Sequence, residues 1–323
     1  IARLLLERGY TVSGSDRCAN QSTRELEAAG AAIFLGHHTD HIQGADWVVR
    51  SSAIPDENPE VAASLQAGIP VFKRSEFLGR LMEGATCVAV AGTHGKTTTT
   101  AMIAWILADA GLNPSYIIGS TAQNLGTNAH AGTGPFVIEA DEYDYMFLGL
   151  TPDIAVITTV EHDHPDCFPT VESYQDAFVQ FVQRISSNGT LILSGDDPVA
   201  LKMAEHIRPL QSMITYGISS KADLQAVNLL SIPGSGYAFD ATGYGGDIVH
   251  IELQVPGIHN VRNAMGALAA AIQCGVSVHQ AATSLGRFTG TGRRFEKIGE
   301  VNGIILISDY AHHPTEIRTT LAA

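Results

Sequence analysis

The segment that most restricts the fold of this chain is Thr86-Cys-Val-Ala-Val-Ala91, followed at once by Gly92-Thr-His-Gly95-Lys96-Thr97-Thr-Thr-Thr100 and a helical pattern that runs to Ala110 and stops at Gly111. An apolar run of strand length reads as a strand buried on both faces, the environment of a parallel sheet covered by helices. A glycine loop between such a strand and a helix aims backbone N–H groups and the positive helix end at one point, where a phosphate can sit. Lys96 serves no packing purpose there, so it would reach the terminal phosphates of a triphosphate, with the Thr97 hydroxyl on Mg²⁺. The spacing departs from the usual phosphate loop: Val90 stands five residues before Gly95, and the only upstream glycine is three away. A glycine turn without a ligand is the alternative for the loop taken alone.

Strand and helix patterns alternate on both sides of this loop, which predicts an α/β chain. Ile1 to Gly9 reads as a helix tail that ends on a C′ glycine, and Tyr10 to Asp16 as a strand closing on an acidic residue. Such a strand is the second of a dinucleotide-fold unit, whose first strand and glycine loop would lie upstream. A helix from Ser22 to Gly30, a strand at Ala32–Leu35, a strand at Trp47–Ser51, a helix from Asn58 to Gly68 and a strand at Pro70–Phe72 complete a Rossmann-like, doubly wound domain over residues 1–83. Residues 84–290 read as a central parallel-sheet domain binding a mononucleotide at the phosphate loop. Its strands lie near Tyr116–Ile118, Phe136–Glu139, Ile154–Thr158 and Leu191–Leu193, separated by helix-like or loop segments such as Val171 to Ile185. Alternation over residues 223–255 predicts a small antiparallel patch, and a helix opens near Asn260. Residues 291–323, with a strand at Gly303–Ser308, read as the start of a third α/β domain.

Other constellations could carry chemistry. Phe136-Val-Ile-Glu139-Ala-Asp141-Glu142 is an apolar strand running into three carboxylates; Glu139 and Asp141 share one face of an extended chain, while Glu142 points away. Opposite a phosphate loop such a strand end supplies an acidic Mg²⁺ ligand, whereas alone it could be a solvated end. Glu161-His162-Asp163-His164 follows another buried strand. Zinc, one histidine beside Mg²⁺, and satisfied loop histidines are all readings of it, and the first lacks a clear fourth ligand. In Gly257-Ile-His259-Asn260-Val-Arg-Asn263, capping explains Asn260, while the ring of His259 and the amide of Asn263 suit a base. Arg293-Arg294-Phe295 and Asp309-Tyr310-Ala-His312-His313 could be solvated turns, or Arg294 could stabilise a transferring phosphoryl group.

Composition narrows the partners. With 19 Lys+Arg against 33 Asp+Glu, the formal net charge is −14 and no basic run exists, so neither nucleic acid nor an anionic membrane is an expected partner. Cys18, Cys87, Cys167 and Cys274 are far apart with no C-x-x-C pair, which points to a reduced, cytoplasmic setting. No apolar run approaches the roughly 18 residues of a spanning helix.

Together these motifs resemble the Mur ligase family of ATP-dependent ligases that build the peptide stem of the bacterial cell-wall precursor. The resemblance covers nearly the whole chain: Gly92 to Thr100, Ser51-Ser52-Ala-Ile-Pro55, Gly257 to Asn260, Arg293 to Phe295 and Asp309 to Glu316 all take part. Within the family the set is most similar to members that join L-alanine to UDP-N-acetylmuramate, so it implies those two small-molecule substrates with ATP and Mg²⁺. It further implies ATP contacts by Gly92, Thr93, His94, Gly95, Lys96, Thr97, Thr98, His259, Asn260, Asn263, Arg294 and Asp309. Metal ligation by Thr97, Glu139 and His164, catalytic roles for Lys96, His164, Arg294 and His312, and substrate contacts by Ser51, Ser52, Tyr310 and His312 follow in the same way. Tyr143 stands where alanine-adding members more often carry serine and where a relative that attaches a recycled tripeptide carries tyrosine. That relative, a folate polyglutamate ligase and a nucleotide switch without ligase activity are the alternatives; a GTP switch would need an Asn-Lys-x-Asp string, which the chain lacks.

Overall fold

The computed structural model describes residues 1–219, 221–243 and 246–323. Two compact units result, Ile1–Glu83 with Ala129–Ala131, and Gly84–Asn128 with Gly132–Ala323. In the first, α1 (Ala2–Glu7), β1 (Ser13–Asp16), α2 (Gln21–Ala28), β2 (Ala32–Leu35), β3 (Val48–Arg50), α3 (Pro59–Gln66), β4 (Val71–Lys73) and α4 (Arg74–Leu81) follow one another. Helix starts obey local chemistry: Asn20 and Thr23 cap α2 reciprocally, and Asn58 caps α3 with Pro59 at its first position. The single doubly wound sheet expected over residues 1–83 is instead two parallel pairs, β1 with β2 and β3 with β4. Among the described residues neither β1 nor β2 pairs with β3 or β4.

The second unit contains β5 (Cys87–Ala91), α5 (Lys96–Asp109), β6 (Ser115–Ala122), β7 (Thr127–His130), β8 (Phe136–Glu139), β9 (Ile154–Ile157), α6 (Val171–Gln183), β10 (Thr190–Ser194), α7 (Pro198–Lys202) and β11 (Ser212–Gly217). It continues with β12 (Leu224–Ser231), β13 (Tyr237–Thr242), β14 (Ile248–Leu253), α8 (Ile258–Gln273), α9 (Val278–Gly286), β15 (Glu296–Val301), β16 (Ile304–Ser308) and α10 (Pro314–Leu321). One sheet runs in the order β14-β13-β12-β11-β10-β9-β5-β8-β6-β7 and is parallel from β12 to β6. The antiparallel patch expected over residues 223–255 is formed by β12, β13 and β14. β12 joins β11 in parallel at Tyr216↔Leu224, and β13 and β14 extend the same sheet.

All five residues of β5 are buried, as its composition requires, and it lies between β8 and β9. α5 and α8 pack against each other, and Ala101, Ala104, Ala264 and Ala267 on them are all fully buried. Truncating Met102 or Leu268 in this layer to alanine is expected to cost about 2–5 kcal/mol. Because β5, β8 and β9 are parallel, their carboxyl ends open on one edge, where a topological switch leaves a crevice. The glycine loop, the carboxylates after β8 and the histidines after β9 are all delivered to that edge.

Candidate active site

Geometry at the loop explains both glycines. Gly92 has φ +134°, and a Cβ there would stand 2.1 Å from Thr158 Oγ1 and 3.0 Å from the Thr159 backbone. Gly95, at φ +82°, is the N-cap of α5, and its Cβ would meet Asn263 Oδ1 at 2.4 Å. Not every loop amide is free. Thr93 N donates to Thr159 O at 2.9 Å and His94 N to Thr159 Oγ1 at 3.1 Å, so these two fix the loop. The N–H groups of Lys96, Thr97 and Thr98 precede the first intrahelical bond, Thr99 N to Gly95 O, and point out of the helix end.

Lys96 Nζ donates to Gly92 O at 2.6 Å and forms an ion pair with Glu142 at 2.9 Å. Burial alone would lower its pKa, yet the carboxylates of Glu142, Glu139 and Asp141 raise it above the ordinary lysine value, so it stays charged. The lysine thus has a structural task that the sequence did not disclose, since Glu142 is completely buried. The alternation that turned Glu142 away fails because the strand ends at Glu139; Glu142 has φ −74° and ψ −25°, not extended values. Its Oε1 also accepts the Tyr174 hydroxyl at 3.1 Å, and that hydroxyl lies 2.8 Å from Thr93 Oγ1.

Thr97 Oγ1 donates to Glu139 Oε1 at 3.0 Å, while Gly119 N holds Oε2 at 2.8 Å. Burial pushes the Glu139 carboxyl up, against the pull of Lys96. His164, at φ +54°, lies with Nε2 3.9 Å from Glu142 Oε1. The Tyr143 ring meets it edge-on at 5.0 Å while its hydroxyl donates to Asp166 at 2.9 Å. His162 is a loop histidine whose Nε2 donates to Phe168 O at 2.8 Å.

A cleft of about 720 Å³ runs from the loop past α8 to α10, lined among others by Gly95, Thr97, His259, Asn263, Arg294 and Glu316. α8 begins earlier than expected: Gly257, at φ +90°, is its N-cap, which puts Asn260 inside the first turn instead of at the cap. Asn260 Nδ2 donates to Pro256 O at 2.7 Å, and its Oδ1 accepts Asn263 Nδ2 at 3.0 Å. His259 Nδ1 is buried without a partner, and burial lowers its pKa to about 4. Asp309 accepts Phe295 N and Ala311 N, each at 2.7 Å. Arg294 lies 4.0 Å from Glu316 and 5.4 Å from the Tyr310 ring centroid. Tyr310 and His312 are exposed, and Ser51 and Ser52 are exposed in the other unit.

Two groups missed in the sequence now stand out. Glu316 accepts His94 Nδ1 at 3.2 Å and the backbone N–H groups of His312 and His313; burial opposes ionisation, but these bonds hold its pKa at about 2. Tyr174 is the other. Glu316 closes a capping box with His313, but histidine at the cap falls outside the S/T-x-x-E pattern; no local pattern marks Tyr174.

The Mur ligase middle domain matches residues 90–271, and the Mur ligase family catalytic domain matches residues 1–86. A relative from Renibacterium salmoninarum, named UDP-N-acetylmuramate–L-alanine ligase, is 45% identical across 100% of this chain and 69% of its own length. One of the same name from Salinibacter ruber is 44% identical across 100% and 68%. Among solved structures, the UDP-N-acetylmuramate-alanine ligase of Thermotoga maritima superposes with TM-score 0.83 at 27% identity, covering 98% of this chain and 72% of that one. A murein peptide ligase from Psychrobacter arcticus superposes with TM-score 0.84 at 32% identity, covering 99% and 72%.

Proposed function

The chain belongs to the Mur ligase family, and from that premise we propose that it joins L-alanine to the lactyl carboxylate of UDP-N-acetylmuramate, driven by ATP through an acyl phosphate. One observation carries the reading: at the carboxyl end of β5 a charged Lys96 precedes Thr97, whose hydroxyl bonds Glu139 and which lines a nucleotide-sized cleft. The choice of amino acid is supported by relatives 41–45% identical to the chain that carry this activity in their names. Near-equal likeness to a murein peptide ligase structure favours a recycled peptide, but at the lower identity of 32%.

The donors fit the groups the family uses. Thr97 and Glu139 offer oxygen to a hard cation, and His164, whose Nε2 lies 3.9 Å from Glu142, would add an imidazole, so these three would hold Mg²⁺. Bound there, Mg²⁺ would neutralise charge on the phosphate being transferred. Lys96 would exchange Glu142 for the β- and γ-phosphates, with the N–H groups of Lys96, Thr97 and Thr98 completing the cradle. Asn263 walls the glycine turn, and His259, which lines the cleft, would meet the base. Asp309 retains lone pairs for ribose hydroxyls beyond its two backbone bonds. Arg294 would balance charge at the γ-phosphate, with Tyr310 and His312 at the acceptor end. Residues 1–83 would bind the UDP-sugar, 84–290 ATP, and 291–323 would open a third domain. No side chain needs to act as a covalent nucleophile. A cytoplasmic location belongs to the same reading, with all four cysteines free.

ADP release is the test. With MgATP and UDP-N-acetylmuramate it should require L-alanine and vanish in Lys96→Met; release that ignores the amino acid, or needs folate and glutamate, would overturn the proposal.

A further inference from the structure

We propose that His94, Glu161 and His313 form a site for a borderline transition-metal ion such as Zn²⁺, tying the glycine loop to the N-terminus of α10. One ligand atom from each residue lies within 4.8 Å of the others; His94 and His313 are half-buried and Glu161 is more exposed. They come from three separate segments: the loop after β5, the loop after β9, and the residue that caps α10.

Distances suit an ion of this kind. His94 Nε2 and Glu161 Oε2 are 2.9 Å apart. Zinc bonds of about 2.0–2.1 Å at a tetrahedral angle place two ligand atoms roughly 3.3–3.4 Å apart, so an opening of about half an ångström admits the ion. On entry, His94 gives its Nε2 proton to solvent and Glu161 exchanges that hydrogen bond for a metal bond. His313 Nδ1 accepts Thr315 N at a long 3.3 Å, so ligation through its other nitrogen sacrifices only a weak cap.

Outer partners are already in place. Glu316 Oε1 lies 3.2 Å from His94 Nδ1, the carboxylate–histidine pairing that orients a ligating imidazole. Thr315 Oγ1 donates to Glu161 Oε1 at 2.9 Å, leaving Oε2 for the ion. Two imidazoles and one carboxylate favour zinc, cobalt or nickel over Mg²⁺, whereas Thr97, Glu139 and His164 set two oxygens against one imidazole. The two sites therefore select different ions. Nothing in this site requires nucleotide, sugar or amino acid, so its failure would leave the ligase reading untouched.

Cobalt is the probe. The full chain, stripped of metal and free of nucleotide and Mg²⁺, is titrated with Co²⁺ while visible absorption is recorded, and Zn²⁺ is then added. Expected are one equivalent bound with the intense band of a low-coordinate cobalt, displacement by Zn²⁺, and loss of the band in His313→Gln and Glu161→Gln. Glu316→Gln should weaken binding about 10–100-fold, and Glu139→Gln should leave the band unchanged. Thermal unfolding without metal checks each variant, and Glu161→Gln decides the matter if His313→Gln does not fold. Absence of a stoichiometric band, or a band that survives His313→Gln and Glu161→Gln but disappears in Glu139→Gln, would overturn the proposal.

Discussion

Replacing Gly92 by alanine should cost far more than replacing a glycine of similar backbone type elsewhere. At φ +134° an L side chain is strained by about 1–3 kcal/mol. The new Cβ would overlap Thr158 Oγ1 at 2.1 Å, so that hydroxyl must leave its 2.6 Å bond to His94 O, a loss of about 1 kcal/mol. Retreat is blocked on the other side, because the Thr159 backbone would be 3.0 Å away and its carbonyl already accepts Thr93 N. The sum is about 2–4 kcal/mol, or a fall in Tm of about 4–16 °C for a unit of this size. Gly111→Ala is the control: φ is +80°, nothing lies within 4 Å, and only the conformational strain of about 1–2 kcal/mol applies. Denaturation of both variants without ligand, and MgATP calorimetry, measure the difference. The reasoning fails if Gly92→Ala is no less stable than Gly111→Ala, or if it binds MgATP as the parent does.

Lys96→Met should abolish turnover and also destabilise by about 3–5 kcal/mol, because Glu142 is left buried and unpaired; adding Glu142→Gln should restore stability in urea melts without restoring turnover. Glu139→Gln should raise the Mg²⁺ concentration for half-maximal turnover at least tenfold, about 1.4 kcal/mol, and more than His164→Ala does; equal Mg²⁺ curves would remove Glu139 from the cation site. His259, facing Asp309, Arg262 and Arg294, stays neutral in the fold down to a pKa of about 4, whereas the unfolded chain protonates it below about 6.5. Its contribution is therefore present above about pH 6.5 and lost as pH falls toward 4, up to about 3 kcal/mol. His259→Phe should flatten that acid limb, and an unchanged slope in denaturant melts at pH 4.5 and 7 would refute the assignment.

The phosphate loop and the strands around it were legible because their signals are local: apolar runs, glycine positions and caps at fixed spacing. Glu142 was not, because alternation holds only while the chain is extended, and the chain turns after Glu139. Tyr174 meets Thr93 across 81 positions and Glu316 meets His94 across 222, and no window of sequence joins such pairs. Asn260 misled for a different reason. Asparagine is a strong cap, but Gly257 reaches φ +90° and starts α8 before it. In the first unit, alternation marks the strands but does not say whether four short ones form one sheet or two pairs.

The most direct measurement gives the protein MgATP and UDP-N-acetylmuramate in a mixture holding equal L-alanine and L-alanyl-γ-D-glutamyl-meso-diaminopimelate, and weighs the products by mass spectrometry. The account requires UDP-N-acetylmuramoyl-L-alanine, formed one for one with ADP. Tripeptide product in excess of the alanine product, or ADP without either, would contradict it.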